Sequence, residues 1–482
     1  MRLIKVLILA LILSPIFPLK AQNDTIWTLE ECVNYAFENN LNVQRSELSM
    51  QNEEIILKQS KLSRIPTLNM NIFNSWRWGR SIDPTTNLFS TQQITSNGAS
   101  ASSQFLVYRG SQLNRTIKQG EKNVQASFYD LEKSKNDVAL DVVFGYLQII
   151  FTRELLENSR FQLNTTKAQM EQTEKLVNAG SLPRTNLLDL QSQVASNEVD
   201  VINAENNVNV AILQLMQYLQ IPAEQEFDIV TPEFDADNYT FVPYSVGEVY
   251  QQAVAVQPEI KSADLRIESA ELGVMVAKSE RFPTVGLQGQ YNTNYSDQYS
   301  VPTGEYETVI QDLGTVGYLR DDPTQLVNAF PITTEVAVRE VQNIPTQWSD
   351  NRSYAAGFNI GIPIFNGWQT SANVQRAKIQ NDLAEINALE SRNLLRQTIE
   401  TAYNDAQAAV KVYNAAQKQV EALEESFRAT ERSYNLGALN YVDYQVSSFN
   451  LFSARSNLVR AKFDYIFKLK VLDFYLGNPL TL

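Results

Sequence analysis

The chain of 482 residues has no histidine and a single cysteine, Cys32. That excludes His-based triads, HExxH zinc sites, thiolate metal clusters and any intrachain disulfide. Its 54 acidic against 40 basic residues give a formal net charge of −14, which argues against a nucleic-acid partner.

The N-terminus reads as an export signal. Arg2 and Lys5 precede an apolar run from Val6 to Phe17, and Ala21 offers a small residue for cleavage before Gln22. Residues 1–21 are therefore expected to be a signal peptide, too short for a retained membrane helix. Losing Arg2, Lys5 and Lys20 takes the formal charge from −14 to −17. Cys32 lies too far past the cut to be an acylation site at the mature terminus.

Beyond the signal, the chain is written twice. Residues 28–68 match 245–285 at an offset of 217, so that Ala36 falls on Ala253 and Arg64-Ile65-Pro66-Thr67 on Arg281-Phe282-Pro283-Thr284. After 40 extra residues in the second copy the offset becomes 257. Gly110 then meets Gly367, Tyr146 meets Tyr403, Asn178-Ala179-Gly180 meets Asn435-Leu436-Gly437, and Pro222 meets Pro479. Copies of this length exclude a short-period solenoid and imply a pseudo-twofold protomer. The first repeat spans 22–222, a linker spans 223–244, and the second repeat spans 245–482.

Within each copy, period separates strand from helix. Strands are expected at about 67–76, 99–108, 284–295 and 352–364. Val285, Leu287, Gly289, Tyr291, Thr293 and Tyr295 alternate with Gly286, Gln288, Gln290, Asn292 and Asn294, an apolar face against a polar, uncharged one. Tyr354, Ala356, Phe358, Ile360 and Ile362 alternate with Ala355, Gly357, Asn359 and Gly361. Leu68, Met70, Ile72 and Trp76 alternate with Asn69, Asn71 and Ser75, with Phe73 and Asn74 breaking the pattern, and Ala99 to Val107 is mostly serine and alanine. Pro66, Pro283 and Pro363 sit where helix and strand adjoin, where a lost helical donor is tolerated.

Helical hairpins are expected at about 110–219, with a tip at 178–183, and at about 367–476, with a tip at 435–440. Val138, Val142, Gly145, Ile149, Thr152, Leu156, Ser159 and Leu163 form one stripe, and Leu187, Val194, Val201, Val208 and Leu215 another. The counterpart of the second stripe is Tyr444, Leu451, Leu458, Tyr465 and Leu472. A sustained seven-residue period demands partner helices wound as coiled coils. The outgoing helix of each pair would reach roughly 100 Å at about 1.5 Å per residue, too long for a compact globular domain.

Strands of about ten residues with one apolar and one polar face suit the wall of a membrane β-barrel. A four-stranded sheet alone in lipid would leave its edge N–H and C=O groups unpaired, so closure needs several chains. Two chains give eight strands and an interior filled by side chains; three give twelve, with room for water.

With P-loop, GxGxxG and GxSxG motifs all missing, and with acid pairs such as Glu30-Glu31 and Glu424-Glu425 ordinary on a solvated helix face, no catalytic residue, cofactor or metal is expected.

The mature chain resembles TolC-type outer-membrane efflux proteins. The resemblance rests on the opening Trp27-Thr28-Leu29-Glu30-Glu31-Cys32 with Ala36 and Asn39-Asn40, and on the Arg-x-Pro-Thr steps into the strands. Phe365-Asn366-Gly367, the paired Asn-x-Gly tips and the closing Leu472-Asp473-Phe474-Tyr475-Leu476-Gly477-Asn478-Pro479 complete it. It implies an α+β membrane protein: a homotrimer with a twelve-stranded outer-membrane β-barrel, an α-barrel of coiled-coil hairpins in the periplasm, and an equatorial belt from residues 223–244 and the C-terminus. Such a protein is the exit duct of a tripartite efflux or type I secretion system in a Gram-negative outer membrane. A periplasmic adaptor docks on it, and an inner-membrane pump supplies the energy.

The same resemblance makes Asn178, Gly180, Leu182, Asn435, Gly437 and Leu439 the candidate adaptor-docking tips. Glycine is needed at these turns in any case, because it tolerates positive φ cheaply. In the family a tyrosine before the tip glycine, an arginine after it and acids at the start of the return helix form a periplasmic gate. Here Tyr434 and Asp443 match, Leu439 stands at the arginine position and Val446 at that of the second acid. In the first copy Asn186 replaces the acid, with Arg184 and Asp189 within a turn. An Arg184–Asp443 or Tyr434–Asn186 contact between neighbouring hairpins is the expected gate; solvated charges at a helix start, favoured by the macrodipole, are the alternative. The competing reading of the whole chain is a structural periplasmic coiled-coil protein without a channel, which leaves the four strands unexplained.

Overall fold

The computed structural model describes residues 26–82, 87–91, 93–231, 245–312 and 314–478. The expected signal peptide and residues 232–244 of the expected linker lie outside them. The first copy runs β1 (Ile26–Trp27), α1 (Leu29–Asn39), α2 (Leu41–Leu62), β2 (Thr67–Arg77), β3 (Ser81–Ile82), β4 (Phe89–Ser90), β5 (Ile94–Arg109), α3 (Gln112–Asn178), α4 (Arg184–Leu219) and β6 (Asp228–Ile229). The second runs α5 (Val246–Val256), α6 (Pro258–Ser279), β7 (Thr284–Ser296), β8 (Ser300–Gln311), β9 (Thr315–Leu319), β10 (Asp322–Asn328), β11 (Ile332–Val341), α7 (Ile344–Asp350), β12 (Ser353–Gly361), α8 (Gln369–Asn435) and α9 (Tyr441–Tyr475). The chain divides into two compact units. One is built from Ile56–Gly120 and Ser269–Asn381, the other from the segments ending at Ile55, spanning Glu121–Glu268 and starting at Asp382.

In the helical unit both copies open alike. Thr28 and Ser245 cap α1 and α5 with complete capping boxes. The carboxylates of Glu31 and Glu248 accept from the Thr28 and Ser245 N–H groups at 2.8 and 2.7 Å. Those backbone hydrogen bonds, with help from the capping hydroxyls, hold both carboxyls below their ordinary value. Reciprocal bonds of this kind satisfy two of the donors a helix start leaves open.

The hairpin stripes bury as a seven-residue period requires. Val138, Val142, Ile149, Thr152 and Leu156 of α3 are buried, as are Leu190, Val194, Val208 and Leu215 of α4. The largest core cluster joins α1, α3 and α4 with Phe463 and Ile466 of α9. A second brings Val249 and Ala253 of α5 and Ile260 of α6 onto Leu395 and Ile399 of α8 and onto Leu476. Charged side chains cross from α3 to α4 at Arg160–Glu205 and Lys167–Glu198, but both pairs are exposed and contribute little. Beneath the first cluster, β1 pairs in parallel with β6, and the Tyr146 hydroxyl donates to the Val230 carbonyl at 2.6 Å.

The sheet unit is a four-stranded antiparallel sheet ordered β12–β7–β5–β2, with β12 and β2 at its edges. Two expected strand limits are corrected. The strand expected at about 99–108 begins at Ile94, because β5 is an inner strand paired on both sides and its neighbours hold its weakly apolar start. The strand expected at about 352–364 ends at Gly361, short of Pro363, which has no N–H for a ladder. Phe73 and Asn74 do not interrupt β2. Phe73 lies over Gly98, where an added Cβ would stand 2.8 Å from its ring, and Asn74 pairs with Asn97.

The extra residues of the second copy form ordered ribbons. β8 pairs with β11 and β9 with β10, and α7 packs on the sheet. Gln347, fully buried, accepts from the Ser296 N–H and donates to the Ser296 carbonyl, both at 3.0 Å. The Trp348 indole donates to Asn97 Oδ1 at 2.9 Å.

α3 packs tightly on α4 at Gly145, where an added Cβ would stand 3.2 Å from the Tyr218 ring and 3.3 Å from Leu215. Gly145→Leu is expected to force the helices apart and to destabilise the helical unit by about 1–3 kcal/mol. The readout is a lower thermal unfolding temperature of the purified protein, with Gly120→Leu, where the nearest atom to an added Cβ is the flexible Leu57 Cδ1 at 3.2 Å, giving the smaller shift.

Candidate functional site

Two surfaces carry the candidate function: the faces of the sheet and the tips of the hairpins. On the sheet, register sorts the side chains. Tyr291 lies opposite Tyr354 and Ala101, Leu287 opposite Phe358 and Phe105, and Ala101 opposite Met70. Leu68, Met70, Ile72, Leu287, Phe358 and Ile360 share that face and are all exposed, Leu68 at 78 % and Phe358 at 71 %. The opposite face is mainly polar, with Phe73 and Arg77 of β2 also on it. There Asn69, Ser102, Gln104, Gln288, Gln290 and Gly357 line a groove of about 300 Å³. A sheet apolar on its open side and lined with amides and hydroxyls on the other can divide hydrocarbon from water.

The two tips share one backbone design. At the first, the Gly180 N–H donates to the Val177 carbonyl and the Ser181 N–H to the Leu176 carbonyl, each at 2.9 Å. At the second, Gly437 donates to Tyr434 at 2.9 Å and Ala438 to Ser433 at 2.8 Å. Both glycines have φ of 76°. These are Schellman closures, which satisfy the last helical carbonyls and require a left-handed residue.

Past the two glycines the helix starts differ. Pro183 stands at the start of α4 without a side-chain cap, whereas Asn440 caps α9 by accepting from the Asp443 N–H at 2.9 Å.

Of the candidate docking residues, Asn178, Gly180, Asn435 and Gly437 are exposed, while Leu182 and Leu439 are half-buried. Leu436, not singled out from sequence, is 84 % exposed and presents the tip's open apolar side chain. Its neighbour Asn435 accepts from Gln172 of α3 at 3.3 Å, tying the two hairpins at the tip.

The candidate gate residues separate into two groups. Arg184 and Asp189 of α4 and Asp443 of α9 are exposed, and Asn186 is half-buried. Among the described residues, no hydrogen bond or ion pair joins Arg184 to Asp443 or Tyr434 to Asn186. Tyr434 instead enters an aromatic cluster. Its ring stacks on Tyr444 at 4.9 Å and meets Tyr441 at 6.4 Å, and Tyr441, Tyr444 and Leu190 pack together with Met170 and Phe427. Burial pushes the Tyr441 and Tyr444 hydroxyls up to about 12, so neither ionises near neutral pH.

Above the cluster the hairpins are joined by uncharged polar contacts: Gln445 to Gln193 at 2.6 Å, Gln162 to Ser448 at 3.2 Å and Asn158 to Ser456 at 2.8 Å. The sequence marked Tyr444 through its heptad position. It gave no signal for the amide and hydroxyl contacts, because such residues are common on any exposed helix face.

Over residues 33–219 and 249–478 the chain matches the family described as outer membrane efflux protein. The chain belongs to this family. It is 21 % identical over 380 residues to the outer membrane protein TolC of Escherichia coli (strain K12), a match covering 77 % of this chain and 68 % of TolC. It is 18 % identical over 342 residues to the alkaline protease secretion protein AprF of Pseudomonas aeruginosa, covering 71 % of this chain and 61 % of AprF. Among solved structures, the outer-membrane channel OprN superposes with a TM-score of 0.72 at 15 % identity, covering 94 % of this chain and 90 % of OprN. The Campylobacter jejuni outer membrane channel CmeC gives 0.68 at 16 % identity, covering 94 % and 87 %.

Members of the family are channels, not enzymes. This member is an outer-membrane exit duct of an efflux or type I secretion system in a Gram-negative bacterium.

Among the described residues the buried Tyr434 hydroxyl has no hydrogen-bond partner. An unsatisfied buried hydroxyl carries a desolvation cost of about 1–3 kcal/mol, so Tyr434→Phe should leave stability unchanged or raise it. Tyr444→Ala, which removes the ring at the centre of the cluster, should lower stability by several kcal/mol, on the order of 3–5. Thermal unfolding of the two purified variants checks the contrast; a clear loss in Tyr434→Phe would mean that the hydroxyl is bonded.

Proposed function

We propose that three copies of this chain close a twelve-stranded barrel in the outer membrane, and that the duct opens to a periplasmic adaptor at the hairpin tips. The observation that carries this is the sheet with its two open edges, β12 and β2, and its two unlike faces. In hydrocarbon an open edge leaves N–H and C=O groups unpaired at several kcal/mol each, on the order of the water-to-hydrocarbon transfer cost. Pairing β12 of one copy with β2 of the next removes both edges at once. Three copies supply twelve strands, a ring wide enough for the amide-lined face to hold water rather than pack shut. The chain then works as a passive conduit without catalysis of its own. Energy comes from an inner-membrane pump, reached through the adaptor.

The sheet reading is tested by placing a charge on each face. Phe358→Lys, in the middle of β12 on the apolar face, is expected to cost about 2–4 kcal/mol per chain and to reduce the barrel recovered from outer membranes. Gln290→Lys, on the amide face, is expected to leave barrel yield intact and to shift single-channel ion selectivity towards anions. Equal yields from the two variants would remove the lipid assignment.

At the tips, Leu182, Leu436 and Leu439 are apolar side chains that an adaptor could meet beside the two glycine turns. Replacing Leu182 and Leu439 with glutamate should abolish export of the pump's substrates while the protein remains in the outer membrane at its normal level. Unchanged export in cells carrying both substitutions would place docking elsewhere. The gate, in this proposal, is held by the aromatic cluster of Tyr434, Tyr441 and Tyr444 against Leu190, with Arg184, Asn186, Asp189 and Asp443 facing water near the aperture.

A further inference from the structure

The duplication carries strand register with it. In the first repeat Thr67 of β2 stands opposite Gln104 of β5, and Ser75 opposite Ser96. The repeat offsets of 217 and 257 send these pairs to Thr284 with Gly361 and to Asn292 with Ser353. Both are the pairs that β7 and β12 make, so the hairpin register repeats to the residue. A second kind of pair joins the end of one repeat to the start of the next. β5 runs against β7 with Ser100 opposite Asn292, Ser103 opposite Gly289 and Phe105 opposite Leu287. The counterpart of that pair, β12 against a β2, is missing from the single chain, where both strands are open edges.

The turns after β5 and β12 differ in the same way. Gly110, at φ 54°, packs so closely on the second repeat that an added Cβ would stand 2.7 Å from Phe282 Cβ and 2.9 Å from the Ser279 carbonyl. Its counterpart Gly367 keeps the left-handed conformation, at φ 60°, yet among the described residues nothing lies within 4 Å of an added Cβ. The residues that match Phe282 and Ser279 are Ile65 and Leu62 of the first repeat, both exposed. β5 stays paired with β7 as far as Arg109, whereas β12 ends at Gly361 and leaves Ile362, Ile364 and Phe365 exposed. The end of β12 and the Gly367 turn are thus shaped for a surface that the single chain does not supply.

We propose that β12 pairs with β2 of a second copy of this chain in the register that β5 keeps on β7. Gly357 then stands opposite Ser75, Ile360 opposite Ile72 and Ile362 opposite Met70, and the Gly367 turn seats on Ile65 and Leu62. This rests on the ring closure proposed above and fixes the alignment that closure leaves open. A slip of one residue would set the apolar side chains of β12 beside the amides of β2. A slip of two would keep the faces but carry the Gly367 turn about 6–7 Å past Ile65. Pro363 corresponds to Leu106, where the β5–β7 ladder shifts register, and proline is tolerated at such a shift.

The test is disulfide formation in outer membranes oxidised with copper phenanthroline. Gly357→Cys is combined in turn with Ser75→Cys, Phe73→Cys and Arg77→Cys, all on the amide-lined face. The nearest atom to an added Cβ at Gly357 is Gln288 Nε2 at 4.0 Å, and Cys32 is fully buried, so it does not compete. Covalent dimers and trimers are expected from the Ser75 pair and several-fold less from the other two, because only directly opposed residues meet the distance limits of a disulfide. Ile360→Cys with Ile72→Cys, set against Met70→Cys and Asn74→Cys, repeats the comparison on the apolar face should Gly357→Cys fail to fold. Threefold particles in electron micrographs whose strongest linkage runs through a displaced partner would overturn the register and leave the ring standing. Threefold particles without linkage in either set would overturn the β12–β2 seam. Particles without threefold symmetry would overturn the ring closure, and the register with it.

Discussion

Backbone polar groups in hydrocarbon must be paired, and most of this chain's architecture answers that constraint. Four strands cannot meet it alone, because β12 and β2 each leave a row of open groups. The amphipathic alternation that marks the strands fixes which face meets lipid, but the edges fix that several copies are needed. The same constraint explains α7. Where β12 falls short of the top of β7, Gln347 and Asn351 supply the missing donors and acceptor from side chains. The Asn294 carbonyl and both backbone groups of Ser296 are thus paired where the strand has given way to a short helix.

Off the sheet, the limiting quantity is helix period. A straight helix drifts by about 20° per heptad against a seven-residue repeat, so helices of 67 residues such as α3 and α8 keep a buried stripe only by winding on partners. Within the protomer those partners come from both copies: Asn158, Gln162 and Gln193 of the first hairpin bond Ser456, Ser448 and Gln445 of the second. Amides and hydroxyls at these contacts bond equally well to a neighbour or to water. These polar contacts alternate with apolar ones between the hairpins, the core around α1, α3 and α4 with Phe463 and Ile466 on one side and the tyrosine cluster on the other.

The features legible from sequence are those with a period or a punctuation mark. Leu187, Val194, Val201, Val208 and Leu215 declare a coiled-coil seam by spacing alone, and Pro66 and Pro283 mark the residue before a strand begins. β5 was legible only in part, since Ile94 to Ala99 owe their strand to neighbours on both sides rather than to their own alternation. The ordered ribbons β8–β11 and β9–β10 were not legible, because acids and apolar residues are mixed on both of their faces. At the tips the glycines announced the turns. Leu436 was passed over because exposure at a cap depends on the left-handed residue beside it, and the aromatic cluster was missed because Tyr434, Tyr441 and Tyr444 lie on two helices and meet only in space.

The duplication itself sets a limit on symmetry. Backbone features repeat even where the residue changes. Gly110-Ser111 and Gly367-Trp368 are left-handed pairs at both helix starts, and Gln220 takes the left-handed place that Gly477 fills in the second copy. A glutamine accepts that conformation at a cost of about 1–2 kcal/mol, so the turn is held by its surroundings and not by the residue's own preference. Side chains at the tips do not repeat: the first hairpin has Val177, Pro183, Arg184 and Leu187 where the second has Tyr434, Asn440, Tyr441 and Tyr444. A ring of three copies would therefore present six backbone-equivalent hairpins of two alternating chemistries. A docking partner would meet two kinds of groove around that ring, and any aperture at the tips would be threefold in its chemistry although nearly sixfold in its fold.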